Sequence, residues 1–209
     1  MLSELLLLLV FGVLGYGAYR LWSNRQQNGN RASPLSTSTP SNATIEQVRP
    51  GGMIQLPPHG EDMEERDVQI TARHAYRQDG FNWYELEGQS GAGTVWLDVE
   101  HDDELETSVT LQRLALDDIG LTTDALAGLK QGATVNWQDK AFRFAEKGRA
   151  QFLKNGDAQS AEALEFWDFE GDDERHDLGI ERWDQDYRVY VTQRIDPARI
   201  RIYSLGDNT

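Results

Sequence analysis

There is no cysteine in this chain of 209 residues. Disulfides, thiolate metal sites, CxxC redox chemistry and a cysteine nucleophile are therefore excluded. Basic residues are also scarce: 20 Lys and Arg face 35 Asp and Glu, for a net charge of −15. A chain that binds nucleic acid by neutralising phosphates needs the opposite balance, so no nucleic-acid partner is expected. Histidine is limited to His59, His74, His101 and His176, with no HxH or HxxxH spacing, and no segment by itself carries zinc ligands. What remains, 39% apolar, 26% charged and 10% aromatic, is the composition of a globular domain with a packed core.

One region departs from that composition. From Leu5 to Tyr19 the chain reads LLLLLVFGVLGYGAY without a charge. Leu5, Leu6, Leu7, Leu8, Leu9, Val10, Phe11, Val13, Leu14 and Tyr19 supply its apolar surface. With the flanking residues, residues 1–22 are long enough for a single transmembrane helix, since roughly 20 residues rise about 30 Å. The small residues Gly15, Gly17 and Ala18 also suit a signal peptidase, but no lysine or arginine precedes the run, which favours a retained anchor over a cleaved signal. Gly12, Gly15 and Ala18 lie at spacing three, which is not a GxxxG packing motif. Arg20, Arg25 and Arg31 all follow the run, so the positive-inside rule predicts a bacterial inner-membrane protein with its domain in the cytoplasm.

Residues 23–47 are rich in Ser, Thr, Asn, Gln and Pro with no hydrophobic period, and read as a flexible, disordered tether. The Asn42-Ala43-Thr44 sequon has no meaning in a cytoplasmic linker. Because three arginines offset two acids before Val48, the remainder of the chain holds 33 acids against 17 bases.

From Val48 onward the period is two. Val95, Leu97 and Val99 alternate with Trp96, Asp98 and Glu100; Leu105, Thr107, Val109 and Leu111 alternate with Glu106, Ser108, Thr110 and Gln112. Further strands are predicted over residues 53–56, 68–77, 81–87, 134–137, 141–150, 164–170, 177–183, 187–194 and 200–203. One short helix is expected over residues 122–129, capped by Thr122 or Thr123. The two halves repeat weakly. Arg49-Pro50-Gly51-Gly52 leads into a strand as Lys130-Gln131-Gly132-Ala133 does, and Phe81 to Gly88 resembles Leu164 to Gly171 as an aromatic, acidic strand ending at glycine. The expectation is a mainly β, duplicated antiparallel domain, barrel-like or sandwich-like, over residues 48–206, with units of about 48–114 and 129–203 joined by the helix and a tail at 207–209.

Trp83-Tyr84-Glu85, Trp96-Leu97-Asp98-Val99-Glu100 and the closing Pro197-Ala198-Arg199-Ile200-Arg201-Ile202-Tyr203 carry a resemblance to the bacterial Domain of Unknown Function 4178 family, over about residues 48–203. The resemblance implies a β-rich domain of unknown biochemistry, in a family whose members tend to be encoded near membrane-stress and polyamine-related proteins. It brings no catalytic residues.

The residues themselves show no catalytic constellation. Gly88-Gln89-Ser90-Gly91-Ala92 lacks the last glycine of a nucleophile elbow and joins two strands, so a hairpin is expected. Asp98, Glu100 and Asp102 begin like an EF-hand, but Asp103 stands where the glycine belongs and Val109 where the bidentate acid belongs. Those acids are expected on a solvated outer face, with a weak divalent-cation site as the alternative. No metal, cofactor or catalytic residue is assigned. Trp83, Glu85, Trp96, Asp98, Glu100, Trp167 and Asp168 form the candidate interaction surface. The leading expectation is a non-enzymatic, membrane-anchored adaptor that presents its acidic domain to a protein partner. The alternative is a sensing domain for a small ligand or organic cation such as a polyamine, in which strand aromatics stand beside acids; an uncharacterised hydrolase comes third.

Overall fold

The structure, a computed structural model, describes residues 43–207. The anchor residues, Arg20, Arg25 and Arg31 and most of the tether lie outside the described residues. Among those described, no helix is long and apolar enough to cross a membrane.

The described part is mainly β. In the first half the strands are β1 (Met53–His59), β2 (Glu64–Gln78), β3 (Phe81–Ser90), β4 (Gly93–His101) and β5 (Leu105–Leu114). The short helix α1 (Thr123–Ala127) follows, with the Thr122 hydroxyl accepting from the Ala125 amide at 3.2 Å. Then come β6 (Thr134–Trp137), β7 (Lys140–Leu153), β8 (Ala161–Gly171), β9 (His176–Trp183), β10 (Asp186–Arg194) and β11 (Arg201–Ser204). All neighbouring strands are antiparallel and belong to one sheet, so β1 to β5 recur in order as β6 to β10.

The sheet closes on itself because two strands are long enough to have two neighbours on one side. The early part of β2 pairs with β1 and the early part of β7 with β6, while their last residues pair with each other: Ala75 with Leu153, Tyr76 with Phe152 and Arg77 with Gln151. The second seam joins β5 to β10, where Thr110 opposes Thr192 and Ser108 opposes Arg194. Passing through β2, β3, β4, β5, β10, β9, β8 and β7 therefore leads back to β2. Eight strands form a closed ring, and β1 and β6 are flaps on its outside. β11 returns to pair with β1, Ile202 opposite Ile54. The closed ring decides between the barrel and sandwich alternatives.

Each flap covers the outer face of its own half. Ile54 and Leu56 of β1 pack with Val68, Ile70, Leu86, Leu97 and Val109 in one core, and Val135 of β6 packs with Phe142, Phe169, Leu178, Ile180 and Val189 in the other. At about 1.5–3 kcal/mol for each large apolar side chain removed from water, these two cores dominate the stability of the fold. Leu111 departs from its expected place beside Val109: the ladder slips between Val191 and Thr192, which oppose Gln112 and Thr110, so Leu111 is the bulged residue and is exposed.

Candidate functional site

Since one face of each ring strand serves a core, the period of two sends the other face into the ring. There the register brings distant residues into rows. His74 of β2 opposes Glu85 of β3, Glu85 opposes Asp98 of β4, and Asp98 opposes Ser108 of β5. Across the ring, Tyr190 of β10 opposes Gly179 of β9, Gly179 opposes Asp168 of β8, and Asp168 opposes Glu146 of β7. Apart from the buried His74, these residues line a cavity of about 1000 Å³.

Aromatic rings fill the side nearest the β2–β7 seam. Tyr76 stacks on Trp83 with centroids 5.1 Å apart and planes 8° from parallel, Phe152 lies 5.2 Å from Tyr76, and Phe166 meets Trp83 edge-on at 6.3 Å. Trp183 meets Phe152 edge-on at 5.1 Å. Gly148 is what allows Phe166 to lie flat across β7, because a Cβ there would overlap the ring.

Acids dominate the remaining wall. Eleven carboxylates and two guanidiniums line the cavity, and one of those, Arg194, is held by Asp177 at 2.7 and 3.0 Å. Glu85, Glu100, Glu146 and Asp168 make no side-chain hydrogen bond or ion pair among the described residues. Asp98 receives only the Ser108 hydroxyl, at 3.4 Å, and Glu181 receives the Trp183 indole N–H at 2.9 Å.

Enclosure by the wall raises the pKa of the acids that face inward. Asp98 is pushed up to about 7, first by enclosure and then by the charge of Glu181, against the Ser108 hydrogen bond. Asp168 also rises to about 7, from enclosure and then from Glu146 and Glu100. Glu85 is raised well above the usual range by enclosure and by Asp98 and Glu181; Glu181 and Glu100 are raised as well, chiefly by enclosure. Asp168 and Glu100 nonetheless carry open surface of their own. That surface faces the cavity, so the groups are wet but surrounded by protein.

A cation already sits at these rings. The exposed guanidinium of Arg113 lies 4.7 Å from the Trp96 ring centre and 5.4 Å from that of Tyr190. Its charge acts on both Glu85 and Glu181. Among the described residues no group of three or more His, Asp or Glu side chains is arranged to hold a metal ion.

Two sequence expectations are corrected. Asp98 and Glu100 do stand opposite Val95, Leu97 and Val99, but their face is the inside of the ring and not an outer solvated face. Trp167 does not belong to a surface: it is 2% exposed, in the second core, with Lys147 Nζ 4.6 Å above its ring. Of the other candidates, Trp83, Glu85, Asp98, Glu100 and Asp168 line the one cavity, and Trp96 stacks on His74 at 6.0 Å. The sequence reading missed Glu181, Glu146 and Tyr190. Their signal was the same alternation, on β9, β7 and β10, that singled out Asp98. The Gly88 to Gly93 segment is a hairpin in which Ser90 pairs with Gly93 and its hydroxyl donates to the Gly93 carbonyl.

No curated protein and no solved structure matches the chain. A family model described as Domain of unknown function (DUF4178) matches residues 62–197, which takes in all eight strands of the ring.

Proposed function

The chain belongs to the DUF4178 family, whose description states no activity, and from the cavity we propose that this member binds an extended organic cation inside its barrel. The observation that carries this reading is the row of carboxylates without partners, Glu85 and Asp168 among them, enclosed beside aromatic faces in about 1000 Å³. Carboxylates surrounded by protein hold a cation more strongly than the same groups on an open surface, and a bound cation in turn draws off the protons that enclosure retains. Ring faces add cation–π attraction, as Arg113 illustrates at Trp96 and Tyr190. Acids contributed by several strands, Glu85, Asp98, Asp168 and Glu181 among them, suit a ligand with several ammonium groups, such as a linear polyamine.

Geometry favours this reading over the protein adaptor. The residues expected to meet a partner, Trp83, Glu85, Asp98 and Asp168, line the cavity inside the ring, which suits a small ligand better than a protein surface. The single-pass anchor of residues 1–22, with the barrel on the cytoplasmic side of a bacterial inner membrane, remains part of the proposal and places the binding site near the membrane. The test is a calorimetric titration of the full chain with spermidine. Saturable binding that Glu85→Gln and Asp168→Asn each weaken by about tenfold, the worth of one charge-assisted contact, is expected. Absence of saturable heat with any linear polyamine would overturn it.

A further inference from the structure

The domain carries almost two acids for each base, so an arginine on its surface should find a carboxylate. Three neighbouring arginines do not. Arg49, Arg73 and Arg77 border a second cavity of about 720 Å³, outside the ring, and none of them forms an ion pair among the described residues. Arg49 Nη1 donates to the backbone carbonyls of Glu46 at 2.7 Å and Val48 at 2.9 Å, and Arg73 Nη2 donates to the Glu46 carbonyl at 3.4 Å. The Glu46 carboxylate pairs with His101 Nδ1 at 2.9 Å and forms no ion pair with the three arginines, although its charge does act on Arg73. The Arg73 guanidinium lies 3.4 Å above the centre of the Tyr84 ring, which fixes its plane, and Arg77 is exposed with no hydrogen bond from its guanidinium. Burial and then the neighbouring Arg49 charge lower the pKa of Arg73, and the opposing effects of Tyr84 and the Glu46 charge do not fully offset them. One acid, Asp207, shares the lining.

We propose that the cavity bordered by Arg49, Arg73 and Arg77 binds the phosphate of an anionic lipid headgroup. Phosphate is the chemistry that several guanidiniums around one cavity recognise, because each offers planar, paired donors to its oxygens. The lipid source follows from where the cavity lies in the chain. Arg49 and Glu46 are at the root of the tether, and a linker of about 25 residues has an r.m.s. span of only about 25–30 Å from the proposed anchor. An acidic barrel is repelled by an anionic leaflet as a whole. A local cluster of arginines beside the attachment point reverses that force at one place and turns this face of the barrel to the membrane. The anion chemistry stands on the cavity, and the lipid assignment rests in addition on the anchor reading.

The experiment uses the full chain in neutral detergent micelles, in chloride buffer, with two calorimetric titrations. One adds inorganic phosphate; the other adds micelles doped with phosphatidylglycerol. The expected result is saturable binding of the doped micelles, weakened about tenfold by Arg73→Gln and several-fold by Arg77→Gln, and strengthened by Asp207→Asn. Because Arg73 also holds a backbone carbonyl, the exposed Arg77 supplies the variant that leaves the fold intact. Saturation by inorganic phosphate without saturation by phosphatidylglycerol overturns the lipid assignment. Binding that neither variant changes, or no saturable binding in either titration, overturns the site itself, and leaves the barrel reading untouched because none of these residues faces the ring interior.

Discussion

Glu85 and Asp98 stand directly opposite one another on adjacent antiparallel strands, and both side chains enter the barrel cavity. Like charges in register on one face oppose strand pairing. The ring tolerates them because enclosure keeps the pair from ionising fully near neutral pH.

That relationship reverses the usual pH dependence of stability. The folded-state pKa of Asp98 lies above its unfolded value, so below about pH 4 both states carry the proton and there is no penalty. As pH rises from about 4 toward 7 the unfolded chain releases the proton and the folded chain does not, and stability falls across that window. Asp168 acts in the same sense. Burial lowers the pKa of His74, which acts in the opposite sense over part of this window, so the difference between wild type and Asp98→Asn isolates the effect. In thermal unfolding of the full chain, Asp98→Asn should raise the midpoint at pH 8 by about 2–8 °C, corresponding to about 1–2 kcal/mol, and by progressively less toward pH 4. A midpoint difference that does not shrink from pH 8 to pH 4 would be incompatible with the enclosed Asp98.

The same protons couple to the ligand. A cation that binds ionised carboxylates must displace them, so polyamine affinity should increase by about tenfold between pH 6 and 8. Titrations in two buffers of different ionisation enthalpy should report proton release at pH 6.5 and less of it at pH 8. Proton uptake on binding would contradict the arrangement of charges described here.

Arg113 competes with any cation for the faces of Trp96 and Tyr190. Replacing it with alanine should cost at most about 1 kcal/mol of stability, since the side chain is exposed, and should tighten polyamine binding about threefold. A weaker complex in the Arg113→Ala variant would show instead that the guanidinium contributes to the site.

Gly148 and Phe166 are cross-strand partners between β7 and β8. A methyl group at Gly148 overlaps the ring and approaches the Gln78 side-chain amide, so Gly148→Ala should destabilise the barrel by about 1–3 kcal/mol through overpacking. The smaller Phe166→Leu should recover part of that loss in the double variant, measured by chemical denaturation.

Much of the architecture was legible in the residues. The strand at residues 134–137 coincides with β6, and the others differ from the structure mainly at their ends: β2 begins four residues before Val68, and β7 runs on through Gln151, Phe152 and Leu153. Glycine turns and aromatic-acidic strands recur at matching places because the second half repeats the topology of the first. The slip at Leu111 was not legible, since a bulge depends on the partner strand. Trp167 was misplaced for a related reason: it ends the unbroken buried run Leu164, Glu165, Phe166 and Trp167, in which period two alone does not separate the faces.

What the sequence determined by itself was, away from the bulge at Leu111 and the run ending at Trp167, which strand residues share a face, because alternation is a property of the local backbone. It also determined the charge, the want of cysteine chemistry and the presence of one uncharged run suited to a membrane. What lies beyond each face was decided only by the tertiary structure. Three residue pairs between the ends of β2 and β7 turn an open sheet into a ring, and a face that alternation alone assigns to solvent becomes the wall of a cavity. The burial and proton affinity of Glu85, Asp98 and Asp168 follow from that closure, since the field at a carboxylate depends on everything that surrounds it and not on its neighbours in the chain.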